Sequence, residues 1–197
     1  DDTMVGGNGV DTLDLSAATA GFTSISLNAS GSLSNAVNIA GLGAIRYSGI
    51  DVFELSDNAD AVNVSGITLY AGAGNDSIIG SSSADTVYGE AGDDSITTNN
   101  GNDWIIGGAG VDIIDAGAGI DVIDYSATTS GVVVDLGNNT ATDDGTGSVD
   151  TLTNIENVIG GSGADNILGS AANETIAGGL GDDILDGAGG TDTVFYG

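Results

Sequence analysis

Residues 107–115 read Gly-Gly-Ala-Gly-Val-Asp-Ile-Ile-Asp, and this nine-residue phrase recurs along the chain. An acid occupies its sixth position in two runs, at Asp76, Asp85, Asp94, Asp103, Asp112 and Asp121, and then at Asp165, Glu174, Asp183 and Asp192. An aliphatic residue follows each acid by two positions, at Ile78, Val87, Ile96, Ile105, Ile114, Ile123, Ile167, Ile176, Leu185 and Val194. Asp and Gly also cluster in ordinary turns and disordered linkers. Six copies in register with a coupled aliphatic favour a structural repeat instead.

Glycine occupies the second or fourth position of most copies, at Gly72, Gly74, Gly92, Gly101, Gly108, Gly110, Gly117, Gly119, Gly161, Gly163, Gly179, Gly181 and Gly190. Glycine allows positive φ and close backbone approach, so these positions predict a tight turn whose carbonyl groups can point inward. The x-aliphatic-x triplet predicts a short strand with one side chain directed inward. Two phrases, each a turn and a strand, then make one coil of about 18 residues.

Alternate copies should lie on the same edge of such a solenoid. Aspartates 76, 94 and 112 are expected on one edge, and aspartates 85, 103 and 121 on the other. Calcium takes roughly six to eight oxygen ligands and accepts carboxylates mixed with backbone carbonyls. Pairing acids of successive coils (76/94, 94/112, 85/103, 103/121, 165/183 and 174/192) predicts about six calcium ions, with the glycines above contributing turn carbonyls.

Some predicted sites depart from the pattern. Asp11 lies nine residues after Asp2 and is predicted to be a further ligand, in a short N-terminal run. The first glycines of the phrase are replaced around 81–83 and 99–100, which predicts weaker sites there. Glu174 has a longer side chain than aspartate and marks another weak position.

The repeat resembles that of the RTX family, the haemolysin-type calcium-binding repeat proteins of bacteria. The resemblance implies a parallel β-roll, type I secretion and ordering in extracellular calcium. It also implies that the repeat carboxylates and turn carbonyls named above are the calcium ligands. Strict repeats cover about half of the chain.

Composition narrows the possible environment and partners. Among 197 residues there are 29 acidic residues, one basic residue (Arg46) and no His, Cys or Pro, and the net charge is −28. Such a chain repels itself unless cations bind, so calcium binding should supply folding free energy. The absence of Cys favours calcium over disulfides as the stabilising element of an extracellular chain. The charge disfavours nucleic acid, and no apolar stretch reaches the roughly 20 residues of a membrane span.

The residue types needed for catalysis are scarce. Without His, Cys or Lys, the chain cannot form Ser-His-Asp or Cys-His nucleophilic sites, and it has no His for a zinc site. Carboxylate pairs such as Asp93/Asp94 and Asp182/Asp183 could in principle support glycoside hydrolysis, but most of these acids already belong to the predicted calcium sites. We therefore expect this chain not to be an enzyme.

The sequence predicts an all-β protein: a parallel β-roll or β-helix solenoid of nonapeptide calcium-binding repeats with two wider inserted coils. Its expected segments are 1–70 (a short repeat run and a wider coil), 71–124 (six copies), 125–159 (a second wider coil) and 160–197 (four copies), in one continuous solenoid. The two wider segments resemble each other, which indicates a unit of about 105 to 110 residues used twice. The polar loop 142–147 is expected to be a turn rather than a calcium site.

The function expected from these features is structural. The chain is predicted to be secreted and to belong to a bacterial surface layer, extracellular filament or large adhesin. Its partners would be calcium and further copies or repeats of the same protein. The alternative is a calcium-dependent secretion and folding module of a larger type I-secreted enzyme or toxin.

Overall fold

The computed structural model describes residues 2–5, 9–18, 25–28, 36–39, 43–48 and 50–197, with the strands at 2–5, 25–28, 36–39 and 43–48 described by their backbone alone. The strands are β1 Asp2–Val5, β2 Thr12–Asp14, β3 Ile25–Asn28, β4 Ala36–Ile39, β5 Gly43–Ser48, β6 Val52–Glu54, β7 Ala61–Ser65, β8 Thr68–Tyr70, β9 Ser77–Ile79, β10 Thr86–Ala91, β11 Ser95–Thr97, β12 Trp104–Ala109, β13 Ile113–Asp115, β14 Val122–Asp124, β15 Val133–Asp135, β16 Thr140–Asp143, β17 Asp150–Thr153, β18 Asn157–Ile159, β19 Asn166–Leu168, β20 Thr175–Ala177, β21 Ile184–Asp186 and β22 Thr193–Phe195. A 3₁₀ turn spans Leu136–Asn138.

Two sheets form the opposite faces of a parallel β-solenoid. The nine-stranded face has the order β2-β6-β8-β10-β12-β14-β18-β20-β22, and the ten-stranded face the order β21-β19-β15-β16-β17-β13-β11-β9-β7-β3. In the repeat runs, consecutive phrases contribute strands alternately to the two faces. Residues 18 apart therefore pair in register, as Val87 does with Ile105. The predicted all-β solenoid is confirmed.

The core is a row of single aliphatic side chains from each strand. A three-residue strand such as β11 buries its middle residue and exposes the first, because successive side chains point to opposite faces. The aliphatic residues at the eighth position of the phrase are buried as predicted from Ile78 to Ile123 and at Ile167 and Ile176, each at most 1% exposed. Leu185 packs partly buried against this core, and Val194 is half-buried.

The second insertion, expected to be a wider coil, contains an antiparallel strand. Strand β16 is antiparallel to both β15 and β17. Strand β17 pairs parallel with β13, and β15 pairs parallel with β19, so three strands lie within the ten-stranded face. On the opposite face, β14 pairs directly with β18. Two chain reversals cause this arrangement. At the first, between β15 and β16, the Asp135 carboxylate caps the 3₁₀ turn by accepting a hydrogen bond from Asn138 N, and Asn139 adopts left-handed φ. The second lies at residues 144–149, between β16 and β17.

The first insertion repeats much of this strand order, as the internal duplication predicts. Strand β2 pairs with β6 as β14 does with β18, and β3 pairs with β7 as β15 does with β19. Strands β4 and β5 are antiparallel, like β16 and β17. Strand β5 also pairs parallel with β1, as β17 does with β13. Residues 19–24, 29–35, 40–42 and 49 of this insertion lie outside the described residues.

Candidate metal centre

The repeat acids form two buried rows, one along each edge between the faces. We call the row at residues 76, 94 and 112 the Asp94 edge and the row at residues 85, 103 and 121 the Asp103 edge. All six of these aspartates are at most 2% exposed. Each sits just before a strand whose aliphatic residue points into the core, so strand pairing fixes its carboxylate against the neighbouring coil.

A hydrogen-bond ladder runs along each row. The backbone N–H of one acid donates to Oδ1 of the acid one coil further along. On the Asp94 edge, Asp76 N lies 2.8 Å from Asp94 Oδ1, and Asp94 N lies 2.9 Å from Asp112 Oδ1. On the Asp103 edge, Asp85 N lies 2.8 Å from Asp103 Oδ1, and Asp103 N lies 2.8 Å from Asp121 Oδ1.

The later run of repeats makes the same contacts. Asp165 N lies 3.0 Å from Asp183 Oδ1, and Glu174 N lies 3.0 Å from Asp192 Oδ1. All six acid pairs predicted from the sequence are therefore neighbours in the structure.

The second carboxylate oxygen of many row members is buried without a hydrogen-bond partner. These atoms are Oδ2 of Asp76, Asp94, Asp103, Asp112 and Asp121, and Oε2 of Glu174. Buried polar atoms are normally hydrogen-bonded, and a buried anionic oxygen without a partner is costly. A row of such oxygens at equivalent positions fits a row of cations.

Turn carbonyls converge on the same places. A methyl carbon built on Gly169 would lie 2.6 Å from Gly187 O and 3.0 Å from Glu174 Oε2. The equivalent point beside Gly89 lies 2.5 Å from Asp94 Oδ2 and also contacts Gly107 O. A carboxylate oxygen of one coil and a carbonyl oxygen of the next therefore face one point, where the glycine leaves room. This mixed oxygen set is the kind that calcium accepts.

Glycines at the fourth position of the phrase allow the coils to stack closely. Gly110 has φ of 140°, and a side chain there would meet the Gly92 carbonyl of the preceding coil. Gly92 has φ of 144° and faces Gly74 in the same way. Gly119, Gly163, Gly181 and Gly190 are equally confined by the backbone of a neighbouring coil, and Gly101 by Ser83 O. The turns thus keep their carbonyls near the acid rows.

The second position also requires a left-handed backbone in most copies. Positive φ occurs there at Gly72, Gly108, Gly117 and Gly179, and at the non-glycine residues Glu90, Asn99 and Ala188. Some carbonyl groups at the second position already accept backbone hydrogen bonds: Gly72 O accepts from Ala91 N, and Gly161 O accepts from Leu180 N.

Burial changes the acidity of the row members. It raises the pKa of Asp76 and of Asp94 to about 7, and that of Asp121 to about 6, with neighbouring carboxylates adding to the effect. It also raises the pKa of Asp103, Asp112 and Asp165. The folded chain without a bound cation is therefore poorly suited to holding these groups as carboxylates at neutral pH.

In the part of the chain that the structure describes, no three acidic side chains form a self-contained metal cluster. Each candidate site depends instead on one or two carboxylates with backbone oxygens. The model of the RTX calcium-binding nonapeptide repeat (4 copies) matches residues 1–17, 68–96, 88–123 and 157–197, which together exceed half of the chain.

The chain belongs to the RTX family. RTX repeats bind calcium and are typical of secreted bacterial proteins. No curated protein matches the chain. Among the residues described, no helix has the length and apolar character needed to cross a bilayer.

Several positions depart from the regular RTX row. Asp85 Oδ2 accepts a hydrogen bond from Ser81 N at 3.1 Å, in the segment where weak binding was predicted. Asp165 Oδ2 accepts from Gly161 N at 2.9 Å. Glu174 Oε1 accepts from Ser170 Oγ, while its second oxygen has no partner.

At the two ends of the acid series the surroundings are more open. Asp183 and Asp192 are half-buried. Near the N-terminus, Asp11 N donates to Asp51 Oδ2 at 3.0 Å, which is the same contact as in the ladder.

Besides Asp51, three row members lack the glycine phrase, and the sequence prediction did not include them. Asp60 N donates to Asp76 Oδ1 at 2.7 Å, and Asp112 N donates to Asp150 Oδ1 at 2.9 Å, so both acids extend the Asp94 edge. Asp121 N donates to Glu156 Oε2 at 2.9 Å on the Asp103 edge. Each of the three stands two residues before a buried aliphatic residue, and that shorter signal identifies them.

The polar segment 142–147 comprises the end of β16 and the loop that follows it. Asp144 Oδ1 accepts hydrogen bonds from the backbone N–H groups of Thr146, Gly147 and Ser148 at 2.7 to 3.1 Å. Both carboxylate oxygens also contact Thr146 Oγ1. This aspartate therefore stabilises the loop with its own hydrogen bonds.

Proposed function

We propose that this chain is a secreted structural protein that folds on calcium and assembles outside the cell, as part of a surface layer, filament or large adhesin. The observation that carries the proposal is the row of buried carboxylate oxygens without hydrogen-bond partners. With turn carbonyls beside them, they favour calcium at the six acid pairs named above. The repeat aspartates, Glu174 and the turn glycines are the proposed ligands.

Ion binding and folding are coupled in this proposal. The unfolded chain does not hold acids of separate coils together, so the binding free energy stabilises the folded state. Calcium would also neutralise part of the negative charge of the acidic residues, since the whole chain has only one basic residue. At low calcium, repulsion and desolvation favour the unfolded chain; at high calcium, the solenoid forms.

Surface features support a structural role over a catalytic one. The chain has no His, Cys or Lys. Large aliphatic side chains are exposed on the ten-stranded face, including Ile79 at 48% and Ile113 at 59%. Such side chains can contribute apolar area to contacts between copies.

Calcium titration followed by circular dichroism and light scattering tests the proposal, with magnesium as the ion control. We expect β-structure to appear with calcium and then large particles to form. Asp94→Asn should raise the calcium concentration needed for folding, whereas Asp93→Asn removes the same charge outside the row and should have a smaller effect. Compaction to a stable monomer would favour the alternative, a folding module of a larger secreted enzyme or toxin. No response to calcium would overturn both.

A further inference from the structure

The acid row on the Asp103 edge continues across the second insertion. Strand β14 pairs with β18, and β18 pairs with β20, which aligns the buried residues Ile123, Val158 and Ile176. Two residues before Val158 stands Glu156, in the position that Asp121 and Glu174 take in their own coils. The two repeat runs, separated in sequence, are therefore separated on this edge by strand β18 alone.

Glu156 makes the contact that defines a row member. Its Oε2 accepts a hydrogen bond from Asp121 N at 2.9 Å, as Asp121 Oδ1 accepts from Asp103 N at 2.8 Å. On the other side, Thr175 N donates to Glu156 O at 3.0 Å, and Thr193 N donates to Glu174 O at 2.9 Å in the next coil.

The turn that leads to Glu156 is shorter than the turns of the repeats. Asp115 pairs with Thr153, so the turns that follow them can be compared directly. Five residues separate Asp115 from Asp121, whereas two separate Thr153 from Glu156. Asn154 keeps the left-handed backbone of the turn, with φ of 58°. Even after this shorter turn, the Glu156 carboxylate reaches Asp121 N.

The neighbouring carboxylates leave buried oxygens without partners. Asp121 is fully buried and its Oδ2 lacks a partner, and Glu174 Oε2 also lacks one. In the repeats, the corresponding oxygen of Asp94 faces the carbonyl of the following coil. For Asp121 the following coil is the turn that carries Glu156. Burial, together with the nearby Glu174 carboxylate, raises the pKa of Glu156, as expected for an acid among like charges.

We infer that Glu156 is a calcium ligand and that an ion held between Asp121 and Glu156 joins the two repeat runs into one cooperative row. The inference rests on the proposed calcium-dependent folding. It adds a site that the nonapeptide does not encode, since the family matches end at residue 123 and resume at 157. The turn before Glu156 contains no glycine.

An ion at this position would couple the folding of the two runs. In a solenoid each coil contacts only its neighbours, so cooperativity depends on the interfaces between coils. The second insertion interrupts the repeat chemistry on the ten-stranded face. The ion at Glu156 supplies an interface on the opposite edge, and without it the two runs should respond to calcium separately.

Glu156→Gln tests this, with Glu54→Gln as a matched control that makes the same charge change on the outer side of β6. Glutamine keeps the size of the side chain and can still accept from Asp121 N. Bound calcium is counted by native mass spectrometry, and folding is followed by circular dichroism during calcium titration. We expect E156Q to bind one ion fewer than the wild type and its single folding transition to split in two. E54Q should keep the wild-type count and transition.

Equal ion counts and a single transition in both variants would overturn the role of Glu156 while leaving calcium-dependent folding intact. Failure of the wild type to bind calcium would overturn the proposed function itself. Glu156→Asp separates ligation from charge, because it keeps the carboxylate but shortens its reach. We expect weaker binding at this site; wild-type affinity in E156D would contradict direct ligation in the short turn.

Discussion

Alanine at Gly110 should weaken the stack of coils more than alanine at Gly147 or Gly189, which have no close backbone neighbour. The new methyl carbon would lie 2.5 Å from the Gly92 carbonyl carbon, whereas carbon atoms pack best at about 3.5 to 4.0 Å. The two coils must therefore separate by about 1 Å, which disrupts the 2.8 Å hydrogen bond from Gly92 N to Ala109 O. Losing that bond and forcing alanine into φ of 140° should together cost about 3 kcal/mol or more.

Alanine at two further glycines separates the cost of backbone strain from the cost of contact between coils. Gly147 has φ of 95° but nothing within 4 Å of an added carbon, so Gly147→Ala should cost only backbone strain, about 1 to 2 kcal/mol. Gly189 has no positive φ and its nearest contact would be 3.5 Å, so Gly189→Ala should be neutral or stabilise by up to about 1 kcal/mol. Urea unfolding at saturating calcium measures all three. A loss at Gly110 no greater than that at Gly147 would refute the close-stacking explanation.

Three other perturbations test the acid rows and the core. Burial raises the pKa of Asp76, Asp94 and Asp150 to about 7 in the folded chain, above the pKa of about 4 that aspartate has in the unfolded chain. Their protonation therefore stabilises the calcium-free fold fully below about pH 4, and this stability is lost as pH rises through about 7. Circular dichroism in the presence of a chelator should show β-structure increasing from pH 8 to 5, and an unchanged signal would contradict this. Glu90→Gly removes a non-glycine residue from φ of 72° and should raise the unfolding free energy by about 0.5 to 1 kcal/mol in calcium, measured by urea unfolding. Ile105→Ala empties a fully buried position and should lower that free energy by about 3 kcal/mol, with a change under 1 kcal/mol counting against a tightly packed core.

The nine-residue period predicts most of the solenoid because it records the coil directly. Spacing alone indicates which acids share an edge and which aliphatic residues point inward, and the pairing of Asp85 with Asp103 follows from it. The nine-residue phrase no longer predicts the structure where the chain stops contributing one strand per phrase to alternate faces. The antiparallel strand β16 leaves no nine-residue signal, because its position depends on two chain reversals and not on a repeat.

The row members outside the phrase show a second limit. Asp150 lies 38 residues after Asp112, yet the two occupy adjacent coils because the insertion returns the chain to the same edge. Distance along the sequence therefore gives the wrong neighbour. The acid-x-aliphatic triplet does mark Asp150 and Glu156, but it is too short to be distinctive without the strand register.

The outward-facing acids determine how readily folded chains associate. About six ions would reduce the net charge of −28 to about −16, carried by exposed residues such as Asp182 and Asp186. Single calcium-bound chains with this net charge stay dispersed, because like-charged surfaces repel each other. Ordering and association should then have separate midpoints, with association at the higher calcium concentration. Added sodium chloride should ease association far more than it alters the buried sites, since mobile ions screen exposed charges much more than buried ones.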